Sequence, residues 1–437
     1  MRFIFLQEPV SGRNLQRSRR WWHLTLLVNA PLAPTPRRAA IGFIFVTALL
    51  DVMSLGLVIP VLPNLVKSFV GGDTAQASHW VGLFGTSWAL MQLIFSPVLG
   101  MMSDRFGRRP VILVSVFGLG VDYVLMALAP DLGWLWLGRI ISGITAASFS
   151  TASAYIADVT PPDKRAQAFG MMGAAFGAGF VLGPAIGGAL GDISPRLPFW
   201  CAAVFALTNG LYGFFVLPES LPPERRTPFH WSKANPFGAM RLLASTRGLP
   251  TLATVVFLYQ LAHNVLPSIF VLYTGYRYHW SPKDVGLSLA ATGVANIVVQ
   301  ARLVGPVVKR LGERGALRLG LFMGALGFAI FALASEPALY WAGIPVFALT
   351  GFIQPGVQGL MTRKVAANEQ GRLQGASSSI LGLTGLIGPG LFTSVFAWSV
   401  RGDRVRHFPG AAVLVAAALL LLGLVVTAFV PDEPKRA

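Results

Sequence analysis

Residues 100–109 read GMMSDRFGRR, and residues 305–314 read GPVVKRLGER. The first has the form G-x3-D-R-x-G-R-R and the second G-x3-K-R-x-G-E-R, displaced by 205 positions. A second pair of stretches keeps that displacement. FGMMGAAFGAGFVLGPAIGGALG (169–191) carries Gly170, Gly179, Gly183, Pro184, Gly187 and Gly188. GASSSILGLTGLIGPGLF (375–392) repeats Gly375, Gly388 and Pro389, with Thr384 standing where the first copy has Gly179. One such match would be weak. Two at an identical offset mean that the chain is built from two copies of one plan.

The surrounding sequence says what the plan is made of. The 437 residues are 54% hydrophobic and 12% charged, with a mean hydropathy of +0.61, whereas a soluble domain is about a quarter charged. Apolar stretches long enough to cross a ~30 Å hydrocarbon core recur at 41–66, 79–102, 110–129, 133–157, 166–191, 197–217, 250–274, 284–307, 316–334, 337–361, 372–399 and 409–430. They predict an all-α membrane protein of twelve transmembrane helices, here called spans 1 to 12, in two pseudo-symmetric bundles of six. The expected boundaries are a basic, disordered extension (1–38), a first bundle (39–217), a cytoplasmic central loop (218–249), a second bundle (250–430) and a short cytoplasmic tail (431–437).

The net charge of +17 is distributed as topology requires. With the N-terminus inside, about 26 Lys and Arg fall on the cytoplasmic side and about seven outside, the positive-inside asymmetry. It predicts both termini in the cytoplasm of a multi-pass protein; the outer segment RGDRVRH (401–407) is the basic exception. No basic domain interleaved with aromatics supports nucleic-acid binding. Cys201 stands alone, which excludes a disulfide framework or a Cys metal site. The six histidines form no HExxH, and neither a phosphate-binding G-x4-G-K-[ST] loop nor a nucleophile elbow occurs. These absences leave neither an enzyme nor an ATP-driven pump in view.

Charges inside spans are costly and point to function. Asp51, Asp122 and Arg139 qualify. At 1.5 Å per residue, Asp51 lies ~16 Å and Asp122 ~18 Å from the inner ends of spans 1 and 3. Arg139 lies about two turns from the outer end of span 4. All three share a depth in the first half. A carboxylate in a low-dielectric cavity can exchange a proton near neutral pH, and a neighbouring arginine opposes that. Asp51 and Asp122 are therefore candidates for handling protons or a cationic substrate, with Arg139 as charge partner; a purely structural ion pair is the competing reading. In span 5, Gly179, Gly183, Gly187 and Gly191 recur every fourth residue. That spacing lets membrane helices approach backbone to backbone, and Pro184 should bend the helix.

The chain resembles the major facilitator superfamily, and within it the twelve-helix drug:proton antiporters, most of all the bacterial tetracycline-efflux pumps. The resemblance rests on LLDVMSLGLVIPVLPNL in span 1, ALMQLIFSPVLGMMSDRFGRRPVIL across spans 2 and 3, LGRIISGITAAS and AYIADVT in span 4, and the glycine-rich stretch of span 5. In the second half HWSPKDVGLSLA, GPVVKRLGERGALRLG and GRLQGASSS continue it. It implies a major facilitator fold with the substrate path between the halves. The loop between spans 2 and 3 would then carry the family's signature: Gly100, Asp104, Arg105, Gly107, Arg108 and Arg109. Gly100 should let span 2 approach a neighbour, and Gly107 should allow a tight turn. Asp104 should face the N-terminus of span 11 near Gln370–Gly375 and favour the outward-facing state, a place where helix N–H groups attract an anion. Arg108 should pair with Asp158. The glycines of span 5 imply antiport, through a packed, bent helix at the interface between the halves.

The implied activity is export of an amphipathic drug, such as a tetracycline, in exchange for protons across a bacterial inner membrane. It needs no resident cofactor: the energy source is the proton gradient, and a divalent cation could travel as cargo with the drug. The partners are drug, protons and lipid, with a monomer as working unit. Two departures bear on the substrate. Gly324 stands where the pumps carry an acid in span 9, and Asn296 where they carry a histidine in span 8. Polar candidates for lining the cavity are Gln92, Gln260, Asn264, Asn296, Gln300, Gln354 and Gln358. The alternatives are an exporter of another metabolite or sugar on the same frame, or a transporter-like sensor that moves nothing.

Overall fold

The computed structural model describes residues 38–146, 148–161, 164–229, 238–246, 248–366, 369–401 and 408–431. The predicted basic extension up to residue 37, residues 402–407 of the basic outer segment and the tail from 432 lie outside the described residues. Every regular element among those described is helical. Helix starts at the end predicted to be outside are written into the sequence. Asp73 opens span 2 by accepting the N–H groups of Ala75 and Gln76, Asp131 opens span 4 through Gly133 and Trp134, and Ser281 with Asp284 forms a reciprocal capping box for span 8. Each side chain satisfies backbone donors that a helix N-terminus leaves unpaired.

Ten runs are long and apolar enough to cross a membrane, against twelve predicted. The difference has two sources. Span 4 is described as two shorter helices, Leu132–Thr145 and Ser148–Val159, on either side of residue 147. Spans 8 and 9 form one run, Pro282–Leu333, which Gly312 breaks with φ 69° and ψ 174°. Gly312 lies 205 residues after Gly107, whose φ is 106°. The repeat therefore preserves a left-handed turn between consecutive crossings in both halves, a conformation that costs glycine little.

Packing obeys the same offset. In the first half span 5 lies on span 1, so that a Cβ at Gly183 would sit 2.8 Å from the Cα of Gly56. In the second half span 11 lies on span 7, and a Cβ at Gly388 would sit 2.5 Å from the Cβ of Asn264. Between the halves Gly188 meets Pro282 and Gly286 of span 8, while Thr393, 205 residues later, meets Gly82 of span 2 and accepts a 3.0 Å hydrogen bond from Ser78 through its carbonyl.

These contacts crowd one end of the molecule. Towards the end predicted to be outside, Gly188, Gly191 and Gly286 leave no space for a methyl group. Along span 5 towards the other end, a Cβ at Gly177 would only just reach Ile297, at 3.9 Å, and at Gly173 or Gly170 it would meet nothing within 4 Å. Gly100, Gly305 and Gly371 are equally unopposed. Among the described glycines, those at the predicted outer end are pressed between the halves and those towards the predicted cytoplasmic end are not.

One expectation is corrected here: Gly100 makes no close helix approach. Span 5 does lie where the halves meet, and its four-residue glycine ladder packs on span 1: Gly179 meets Val52, Gly183 meets Gly56, Gly187 meets Leu57 and Gly191 meets Val61. Gly188, one position off the ladder, is the glycine that meets span 8, and Gly191 reaches Pro282 as well. A period of four drifts slowly around a helix, so one stripe stays on one neighbour and the adjacent position faces the next.

Candidate functional site

Of the three charges predicted inside spans, two form an ion pair, and all three lie around the buried Tyr123. Arg139 Nη2 donates to Asp122 Oδ2 at 2.8 Å, in an ion pair whose carboxylate is fully buried. Gly138 makes room for it: a Cβ there would lie 2.5 Å from Asp122 Oδ1. Asp122 Oδ1 and Arg139 Nε have no hydrogen-bond partner among the described residues. A buried pair of this kind is held by mutual attraction against the desolvation of both ions.

Asp51 is held differently. Its Oδ1 accepts a 3.2 Å hydrogen bond from Asn209 Nδ2 of span 6. It lines a cavity of about 210 Å³ together with Thr47, Trp88, Gln92, Leu119, Tyr123, Ser142 and Phe176. Every residue of this wall belongs to the first bundle. Asp122 and Arg139 are not part of the wall, although Tyr123, the neighbour of Asp122, is. Aromatic faces, hydrogen-bonding groups and one carboxylate around a small volume suit a flat amphipathic molecule with a cationic or proton-donating group.

Of the predicted lining amides, Gln92 alone belongs to this wall. Asn264 is turned to its own helix, donating to Gln260 O at 2.8 Å. Gln300 lies in a π-helical turn, Val299–Leu303, and is exposed, as is Gln354; Gln260, Asn296 and Gln358 are half-buried elsewhere in the second bundle. At Gly324 a Cβ would lie 2.6 Å from the Thr350 methyl group and 2.8 Å from a Leu420 methyl group, so a larger residue there would have to displace those side chains.

The signature loop is built as expected in one respect and not in another. Arg108 Nε meets Asp158 at 3.1 Å, and its Nη1 meets Asp104 at 2.6 Å and Ser103 Oγ at 3.0 Å. Asp104 is therefore engaged within its own half, one helical turn from Arg108. Arg105 lies over the Phe106 ring, and Arg109 donates to Phe214 O at 2.6 Å. Glu219, which sequence reasoning missed, accepts the backbone N–H groups of Arg108 (2.8 Å) and Arg109 (3.2 Å) and so caps span 3. A Cβ at Gly107 would collide with that carboxylate, which makes glycine doubly necessary there. The signal was an acid directly after span 6, in LPES, opposite a helix start without a capping side chain.

At the predicted outer end Asp192, closing span 5, accepts from Lys283 N at 3.2 Å and from Ser281 Oγ at 3.4 Å. The carboxylate of one half thus caps a helix of the other. Arg401 reaches the ring of His79 at 3.1 Å nearby.

The sequence profile of the Major Facilitator Superfamily matches residues 44–389 and 255–437. The tetracycline resistance protein of class C from Escherichia coli is 40% identical over 381 residues, 86% of this chain and 93% of that protein. The class G protein from Vibrio anguillarum is 40% identical over 351 residues, 80% and 88% of the two lengths. Among solved structures, the nucleoside transporter NupG superposes with a TM-score of 0.72 at 11% identity, covering 90% of this chain and all of that one. A bacterial homologue of the human lysosomal transporter Spinster, in an inward-facing occupied conformation, gives 0.70 at 15% identity, covering 91% and 97%. These two likenesses concern the fold.

Proposed function

This chain belongs to the Major Facilitator Superfamily, and on that premise we propose that it exports tetracycline, or an amphipathic drug of similar shape, in exchange for protons. The observation that carries the reading is the cavity of the first bundle, where Asp51 stands among Trp88, Gln92, Tyr123 and Phe176. The similarity to tetracycline resistance proteins over most of the chain supports the same substrate class. Asp51 exchanges the proton or receives a cationic centre, the aromatic side chains hold the ring system, and the Asp122–Arg139 pair stands behind the cavity as the buried charge that conformational change must respect. The protein works as a monomer in a bacterial inner membrane, with both termini in the cytoplasm, the side on which Lys and Arg are concentrated. Any divalent cation involved is cargo bound to the drug.

A second reading, export of a different amphipathic compound, is favoured by one observation: span 9 carries Gly324 where the tetracycline pumps carry an acid. Everted membrane vesicles with an imposed proton gradient separate the two. Tetracycline added to such vesicles should release protons from them; release by other compounds and none by tetracycline would overturn the first reading in favour of the second.

A further inference from the structure

Asn209 lies in span 6, away from every motif of the sequence, and is 2% exposed. A buried amide is costly unless its hydrogen bonds are made, and here they all go to one face of span 1. Thr47 Oγ1 donates to Asn209 Oδ1 at 3.0 Å. Asn209 Nδ2 donates to Asp51 Oδ1 at 3.2 Å and reaches Thr47 O at 3.5 Å. Thr47 and Asp51 stand one helical turn apart, and both line the cavity. The chemistry fixes which way the amide points, because an ionised carboxylate only accepts. The Thr47 hydroxyl then serves the remaining oxygen. A clamp between spans 1 and 6 would be complete with the two contacts to Thr47. The third reaches the one carboxylate in the cavity wall, which shares that wall with Tyr123 and has the Asp122–Arg139 pair beyond Tyr123 as its other charged neighbours.

We infer that Asn209 is a positioning residue: with Thr47 as its anchor, it holds the Asp51 carboxylate at the cavity wall and sets the conditions under which Asp51 exchanges its proton. The inference rests on the reading of Asp51 as the exchanging group. A hydrogen bond that favours one protonation state of an acid displaces its titration, so the pH profile is the quantity to measure.

Drug–proton exchange is followed against pH in everted vesicles for Asp51→Asn, Asn209→Leu, Thr47→Val and Thr47→Ser, with the amount of protein in the membrane determined for each. The expected result is loss of exchange in Asp51→Asn and a displacement of the profile by about half a pH unit or more in Asn209→Leu. Thr47→Val should displace it in the same sense, and Thr47→Ser should recover most of that change. Retained exchange in Asp51→Asn would remove the reading of Asp51 and the inference with it. Lost exchange in Asp51→Asn, with Asn209→Leu and Thr47→Val slowed equally at every pH, would overturn the inference and leave the reading of Asp51 standing. Should Asn209→Leu fail to reach the membrane, the two Thr47 variants decide by the same criterion.

Discussion

Arg108 binds Asp158 at 3.1 Å in the first half, and 205 residues later Glu313 binds Arg363 at 2.7 Å: the same ion pair with its charges exchanged. The inversion extends to the preceding turn, where Asp104 has Lys309 as its counterpart. Each copy also spends its last arginine on a carbonyl near the end of that half's sixth span, Arg109 on Phe214 and Arg314 on Val430. Geometry is thus repeated while sign is not. A carboxylate is attracted to a helix N-terminus and a lysine is repelled by it, so only the first copy can latch onto one.

The two pairs should differ in weight. Arg363 is 56% exposed against 13% for Arg108, and exposed pairs contribute about 0.2–1 kcal/mol. Arg108→Gln should therefore lower thermal stability in detergent and transport more than Arg363→Gln does. Equal losses would show that the two loops are equivalent.

Asp104 is half-exposed and tied to Arg108 in this conformation. Asp104→Asn should abolish transport and leave membrane insertion intact, because its role belongs to the conformation closed at the cytoplasmic end. Normal efflux by the variant, measured with drug-loaded cells, would remove that role.

Asp192 should hold the outer end shut. After replacement of Cys201, the one native cysteine, a cysteine introduced at the buried Ser288 reports on that closure. Asp192→Ala should speed its labelling by a membrane-impermeant maleimide several-fold at low drug concentration, since two hydrogen bonds between the halves are lost. An unchanged labelling rate would assign the closure to the glycine contacts and to the Ser78–Thr393 and His79–Arg401 contacts.

The glycines of span 5 should divide by position. At Gly183 even a methyl group would press on the backbone of Gly56 and Met53 at 2.8 Å, so Gly183→Ala should cost about 1–3 kcal/mol by overpacking, seen as a lower melting temperature. Gly173→Ala, which meets nothing within 4 Å, should raise that temperature slightly, because alanine is the better helix former.

Arg139→Gln should destabilise the protein by about 3–5 kcal/mol, because it leaves the buried Asp122 charge without a partner. Asp122→Asn combined with Arg139→Gln should melt higher than Arg139→Gln alone. The comparison is made on purified protein in one detergent.

Much of this was readable in one dimension. Hydropathy located the crossings, and the constant offset of 205 announced two copies, because length and repetition are properties of sequence. Arg108 and Asp158 could be paired from the family signature, and Gly107 from the turn that it must make. What sequence could not supply was facing. Asp51, Asp122 and Arg139 share a depth in the membrane, yet a depth along a helix says nothing about azimuth. The fold turns Arg139 to the buried Asp122 beside Gly138 and turns Asp51 to a cavity with Asn209 behind it. In the same way the glycine stripe was legible as a packing surface, but whether it met span 1 or the other half depended on the rotation of span 5 about its own axis. Sequence alone determined how many copies of the plan there are and where it crosses the lipid. Tertiary structure alone decided which charges meet and at which end glycines are pressed between the halves, because those depend on the angular placement of helices that are distant along the chain.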